Sequence, residues 1–234
     1  MPPPSSSPAL PVTLSEQAFV RLRQAVLVGT FEPGVKLKID ELQASFGFSS
    51  SPLREALNRL SQEGLVRADE RKGFRVASIS ADDLADITHM RLLVDVQALS
   101  ASIEHGDDAW EAAAVAASHR LDKAEAQLSD GPVVLDDRWS ALHRDFHQAL
   151  LAACPSARQR ALCASLFDQA ERYRRFSARQ RVISRNKSRE HKRLLEAVLK
   201  RDAATAGALL AEHIRSTQRN VVAALARLNV PARD

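Results

Sequence analysis

The sequence predicts a mainly α-helical protein in two parts, a small helical unit closed by a β-hairpin and then a larger all-helical bundle. Three observations predict it. Apolar residues recur at spacings of three and four along most of the chain. The strand-like runs, Leu65-Val66-Arg67 and Phe74-Arg75-Val76, flank one charged turn. After Ser80 the strand signals stop. The division that follows is residues 1–12 as a flexible arm, 13–79 as the first unit and 80–230 as the second.

Composition narrows the function classes. The length of 234 residues suits two modest domains, and 45% hydrophobic with 26% charged residues excludes collagen-like and wholly disordered chains. No apolar run reaches the length of a membrane span, so no membrane partner is expected. The opening residues lack the basic start and apolar centre of a secretory signal. Cys154 and Cys163 are too few for a disulfide framework and read as buried thiols, which makes the cytoplasm the expected location. The 33 basic against 29 acidic residues, a formal charge of +4, permit a polyanionic partner without requiring one.

Met1–Val12 is rich in Pro and Ser and cannot build a packed core. From about Ser15, the run Leu14, Ala18, Phe19, Leu22, Ala25, Val26 marks an amphipathic helix ending near Gly29. Phe31-Glu32-Pro33-Gly34 is a turn. A short helix runs from about Ile39 to Phe46, stopped by Gly47. Ser51 is the expected N-cap of a third helix, with Pro52 at its first position and Leu53, Ala56, Leu57 and Leu60 facing inward. The hairpin follows, with Gly73 supplying a positive φ. Ser80 reads as an N-cap ahead of Asp82 and Asp83. The helices beyond it are expected at Ala81–His105, Trp110–Leu128, Arg138–Ala153, Ala157–Ala178, Ser188–Lys200 and Ala203–Leu228.

Helix, turn, helix and hairpin in that order make a winged helix-turn-helix. The third helix begins with Ser49, Ser50, Ser51 and Arg54. Hydroxyls and backbone N–H groups at a helix N-terminus suit phosphate oxygens, and a first-turn Arg reaches a guanine edge with two hydrogen bonds. Lys72, Gly73 and Arg75, with Arg71, form the wing. Over residues 13–79 there are 10 basic and 8 acidic residues, so positive charge is arranged locally rather than abundant.

The run PGVKLKIDELQASFGFSSSPLREALNRLSQEGLVRADERKGFRV strongly resembles the DNA-binding domain of the GntR family of bacterial transcription regulators. Pro33-Gly34, Glu41-Leu42, Phe46-Gly47, Pro52-Leu53-Arg54-Glu55-Ala56-Leu57 and Glu63-Gly64-Leu65 carry the match, and Ser50 stands where the family commonly has Arg. The resemblance implies contacts to a double-stranded, near-palindromic DNA operator from Ser49, Ser50, Ser51, Arg54, Lys72 and Gly73.

Four of the seven His residues point to a metal site by geometry. His143 and His147 are i and i+4, hence on one helix face. His191 and His213 each lie 11 residues from Asp202. In an antiparallel hairpin they sit at one height, roughly three turns from the loop at ~3.6 residues per turn. Imidazoles converging from three helices suit a divalent cation, Zn²⁺ or Ni²⁺ before others. Their bland reading is a set of polar surface residues, which is how His89, His105 and His119 are read.

Ala81–Leu228 resembles the FCD effector domain of the FadR-type GntR subgroup, a bundle that dimerises and binds small organic acids. Phe146-His147, Glu190-His191 and Glu212-His213 match its metal-binding pattern, with His143 in place of the usual Asp. Arg91 matches the family's Arg on the first bundle helix and is the expected partner of an effector carboxylate, against an alternative ion pair with Asp95 at i+4. Arg172 and Tyr173 are expected to line the same pocket, while most of the Arg residues around them read as a solvated basic face.

Together these features imply a homodimeric, ligand-responsive transcription regulator, a repressor by expectation, and not an enzyme. A metal-dependent enzyme built on the four His and a sequence-blind DNA binder are the other readings. Against the enzyme, His143-Arg144-Asp145-Phe146-His147 lacks the Glu that a zincin uses as general base, and four protein ligands leave no open tetrahedral position.

Overall fold

The computed structural model describes residues 12–69, 72–127, 137–178 and 188–227. It divides into two compact units, Met1–Ala77 and Ser78–Asp234. The wing residue Arg71, most of the N-terminal arm and the Gly131-Pro132 break lie outside the described residues.

The first unit is built from α1 (Leu14–Val28), β1 (Lys36–Leu37), α2 (Ile39–Phe46), α3 (Ser50–Gln62), β2 (Val66–Asp69) and β3 (Gly73–Val76). Thr13 caps α1 by accepting from the Glu16 amide at 3.2 Å. The sheet is antiparallel with order β1-β3-β2, pairing Leu37 with Phe74 and Val66 with Val76. The two-residue β1 is absent from the sequence reading, because Lys36-Leu37 is too short to show alternation. Leu22, Leu53, Leu57, Leu60 and Leu65 are fully buried at the centre of this unit's core. The cap of α3 differs from expectation. Ser49 is the N-cap, extended and without a side-chain cap bond, so Ser51 and Pro52 lie inside the first turn. Pro is tolerated there because first-turn amides have no intrahelical acceptor to lose. Gly73 has φ 80°, as the hairpin requires.

The second unit comprises α4 (Ala81–His105), α5 (Asp108–Glu125), α6 (Asp137–Leu151), α7 (Ala157–Ala178), α8 (Ser188–Leu199) and α9 (Ala203–Arg227). Four of these match the expected boundaries to within a residue or so at each end. The end of α6 departs by two residues, and α5 starts earlier because Asp107 is its N-cap, accepting from the Trp110 amide at 2.8 Å. Ser80 caps α4 by accepting from the Asp83 amide at 3.1 Å. α4 packs on α9 and α7, α5 on α6 and α8, and α8 on α9. The α8–α9 hairpin turns through Arg201, whose φ of 57° is left-handed. Its guanidinium donates to Ile103 O at 2.6 Å and pairs with Glu111 at 2.5 Å, which holds the turn against that backbone cost.

The arginine run of α7 is the largest departure from the sequence reading. Arg172, Arg174 and Arg175 are buried rather than solvated. Glu171 accepts from both Arg174 and Arg175, Arg175 also reaches Asp137 at 2.7 Å, and Arg174 lies 4.5 Å from the Trp139 ring centroid. Buried guanidinium groups are tolerable when paired in this way.

Gly106, at the end of α4, is the tightest point among the described glycines, since an added Cβ would overlap the Trp110 indole. That indole is fixed by donation to Ala149 O at 2.9 Å. Gly106→Ala is therefore expected to destabilise the bundle by about 1–3 kcal/mol through overpacking, read as a lower denaturation midpoint.

Candidate functional site

The first unit presents one polar, solvent-facing end. Ser49, Ser50, Ser51 and Arg54 are all exposed around the N-terminus of α3, and Lys72, Gly73 and Arg75 are exposed on the wing. Arg54 has no hydrogen-bond or ion-pair partner among the described residues. Other cations of this unit are engaged internally. Arg59 pairs with Glu16 at 2.6 Å over the Phe19 ring, Arg23 with Glu63 at 2.9 Å, and Arg21 donates to Phe46 O at 3.0 Å. Arg54 is thus the guanidinium on α3 left available for an outside acceptor.

In the second unit, His143 and His147 of α6, His191 of α8 and His213 of α9 converge. All four are buried, and one ligating atom from each lies within 4.8 Å of the others. The Nε2 atoms of His143 and His147 are 3.1 Å apart. The rings of His191 and His213 lie 5.1 Å apart across the α8–α9 hairpin, at the one height that their equal distances from Asp202 require. Carboxylates stand behind two of the rings. His213 Nδ1 is 2.8 Å from Glu190 Oε2, and His191 Nδ1 is 3.3 Å from Glu125 Oε1. Neither nitrogen of His191 and neither oxygen of Glu125 makes a hydrogen bond among the described residues.

A cavity of about 540 Å³ opens beside this cluster. His147 lines it together with Arg91, Asp95, Cys163, Phe167 and Leu210. Arg91 and Asp95 are both buried and form the i,i+4 pair, Nε to Oδ2, at 2.8 Å. The ion pair weighed as the alternative for Arg91 is therefore formed, by a residue that also lines the cavity. Arg172 and Tyr173 are not among the lining residues. Tyr173 is fully buried among Ile79, Leu84 and Val221, where its hydroxyl donates to Asp83 Oδ2 at 2.6 Å and accepts from the Ser80 amide at 3.2 Å. Their helical phase on α7 points them at the start of α4 instead.

Comparison with known proteins follows the same two-part division. The description "Bacterial regulatory proteins, gntR family" matches residues 14–76, and "FCD domain" matches residues 86–216. The chain belongs to the GntR family. It is 37% identical to the HTH-type transcriptional regulator BphR of Paraburkholderia xenovorans (strain LB400), over 88% of this chain and 84% of that protein. It is also 37% identical to the HTH-type transcriptional repressor GlaR of Escherichia coli (strain K12), over 82% and 89%. A GntR family member from Pseudomonas syringae pv. tomato shares the fold at TM-score 0.55 and 26% identity, covering 92% of this chain and 87% of that one. E. coli McbR/YncC does so at TM-score 0.75 and 20% identity, over 93% and 99%, and speaks for the fold alone.

The protein is accordingly a DNA-binding GntR-family transcriptional regulator with an FCD effector domain, and not an enzyme. No helix of this regulator among the described residues is long and apolar enough to cross a membrane. His89, His105 and His119 are exposed, as read from the sequence, and both thiols are free and buried. Glu125 is the residue that sequence reasoning missed. It ends α5, a helix with no other group at the cluster, and no spacing in the sequence links it to His191. Glu190 was visible only as the neighbour of His191, yet the ring it meets is that of His213.

Burial holds the His147 pKa well below its ordinary value, assisted by the charges that His213, His191, Arg91 and Arg174 carry when protonated. A neutral imidazole at neutral pH is the form that ligates a cation. In the unfolded chain His147 titrates near 6.5, so below that pH the unfolded state takes up a proton that the folded state refuses. Stability of the metal-free protein is expected to be highest above about pH 6.5 and to fall as pH drops through that value. Denaturant midpoints at pH 7.5 and 5.5 check this, and the decline is expected to be shallower in His147→Gln.

Proposed function

We propose that this regulator is a cytoplasmic homodimer that grips a near-palindromic operator through Ser49, Ser50, Ser51, Arg54, Lys72 and Gly73. It releases that operator, as a repressor, when a small carboxylate occupies the cavity beside the His cluster. The single observation that carries the reading is the convergence of four buried imidazoles beside a cavity that one of them, His147, lines together with the buried Arg91.

The donor set fits a divalent cation. Four nitrogen donors from three helices meet at one point, and Glu125 and Glu190 stand behind His191 and His213 as carboxylates commonly do behind metal-bound imidazoles. His143, His147, His191 and His213 would hold Zn²⁺ or Ni²⁺. The ion supplies a positive charge against which an acid is held. Arg91 contributes a second, since Asp95 takes only its Nε and its Nη groups have no hydrogen-bond partner among the described residues. The name of GlaR, a repressor, supports the sign of regulation.

The effector acts by differential affinity, favouring the conformation that holds DNA poorly; coupling of ~1–3 kcal/mol corresponds to a 5- to 150-fold loss of operator affinity. In gel shifts with the promoter of its own gene, Arg54→Ala is expected to lose specific binding while circular dichroism and oligomeric state stay unchanged. Equal affinity of variant and wild type would overturn the docking assignment. Elemental analysis is expected to find less bound metal in His147→Ala and His191→Ala than in wild type. Full occupancy in both would remove the cluster as a metal site.

A further inference from the structure

The imidazole of His143 lies flat against an indole. Trp139 stands one turn earlier on α6, with the two ring centroids 4.7 Å apart and the planes tilted by only 14°. That is the geometry of an offset stack between aromatic faces. The rings of His147, His191, His213 and Phe167 also surround His143, but each meets it at 39° or more. Trp139 is itself buried, and the Arg174 guanidinium of α7 lies over its ring at 4.5 Å, which pins the indole from a second helix. The stack matters because of what an imidazole is. A carboxylate accepts through two oxygens from several directions, whereas an imidazole offers one in-plane lone pair on the ligating nitrogen. Its plane must therefore be set before it can bind.

We infer that Trp139 is the positioning residue that makes His143 a metal ligand, its indole face fixing the imidazole plane with Nε2 turned into the cluster. This rests on the four His forming a metal site, as proposed above. His143 Nε2 already points at the meeting place, 3.1 Å from Nε2 of His147. Behind His191 and His213 the neighbour is a carboxylate; against His143 it is a π face. The face also discriminates between the two states of the site. A bound cation withdraws electron density from the imidazole, and an electron-poor ring over the negative face of an indole is attracted in the sense of a cation–π pair. A contact that is stronger in the metal-bound protein adds to metal affinity, whereas one equal in both states adds to folding stability alone.

Zn²⁺ titration of the full-length protein, stripped of metal and read in competition with a chromogenic chelator, tests the inference. Trp139→Leu keeps apolar bulk without a face and is expected to bind Zn²⁺ at least ~10-fold more weakly than wild type. Trp139→Phe keeps a face and is expected to stay within about threefold. His143→Asp separates positioning from packing, because its side chain has no ring to stack. In that background Trp139→Leu is expected to change Zn²⁺ affinity by less than about threefold. Zn²⁺ is also expected to lower the tryptophan emission of wild type, and to lower it less in His143→Asp. This arm needs no substitution at Trp139 and holds even if Trp139→Leu fails to fold. Wild-type affinity in Trp139→Leu, or an equal loss in both backgrounds, overturns the inference and leaves the metal site standing. Wild-type emission that Zn²⁺ binding leaves unchanged overturns it as well. Failure of the wild-type protein to bind Zn²⁺ instead removes the metal site, and the inference with it.

Discussion

Four imidazoles share one buried place in the bundle, and the rest of the second unit is arranged around making that tolerable. An imidazole buried without a partner costs free energy on folding, and four together cannot all be charged. The chain answers with helices rather than loops. α6 supplies two rings from one face, and the tight α8–α9 turn at Arg201 fixes the height of the other two. Carboxylates at Glu125 and Glu190 complete the cluster from behind. The same constraint explains why so much charge is drawn inward nearby. Arg144 grips Asp168 with two bonds of 2.7 and 2.9 Å, joining α6 to α7.

Much of this was legible in the sequence. Period-three-and-four patterning located every helix, because amphipathic faces are what the bundle packs. The i,i+4 pair and the equal spacing about Asp202 predicted convergence, because rise per residue is fixed in a helix. Capping at Ser80 and the break at Gly47 were readable for the same local reasons. The cap of α3 was misplaced by two residues, because three consecutive serines offer the same chemistry and only backbone conformation distinguishes them.

What the sequence did not yield depends on contacts between helices distant along the chain. Glu125 reaches His191 across 66 positions, and no periodicity carries that pairing. Tyr173 and Arg172 share α7 with cavity residues Cys163 and Phe167, but a few positions along a helix change the neighbour completely. The α7 arginines read as a solvated face because composition records charge and not its partners.

The burial of that arginine run has a consequence at the nucleic acid. A helix bearing Arg172, Arg174 and Arg175 outward would offer any polyanion a second, sequence-blind handhold, and every phosphate it touched would release a counterion. Buried in the second unit, with Arg174 and Arg175 folded against Glu171, Asp137 and Trp139, these three cations are withdrawn from that competition. The ionic-strength dependence of operator binding then counts the phosphates met by the winged unit without a contribution from these residues. Discrimination between operator and bulk genome is left to the side chains that can read a base.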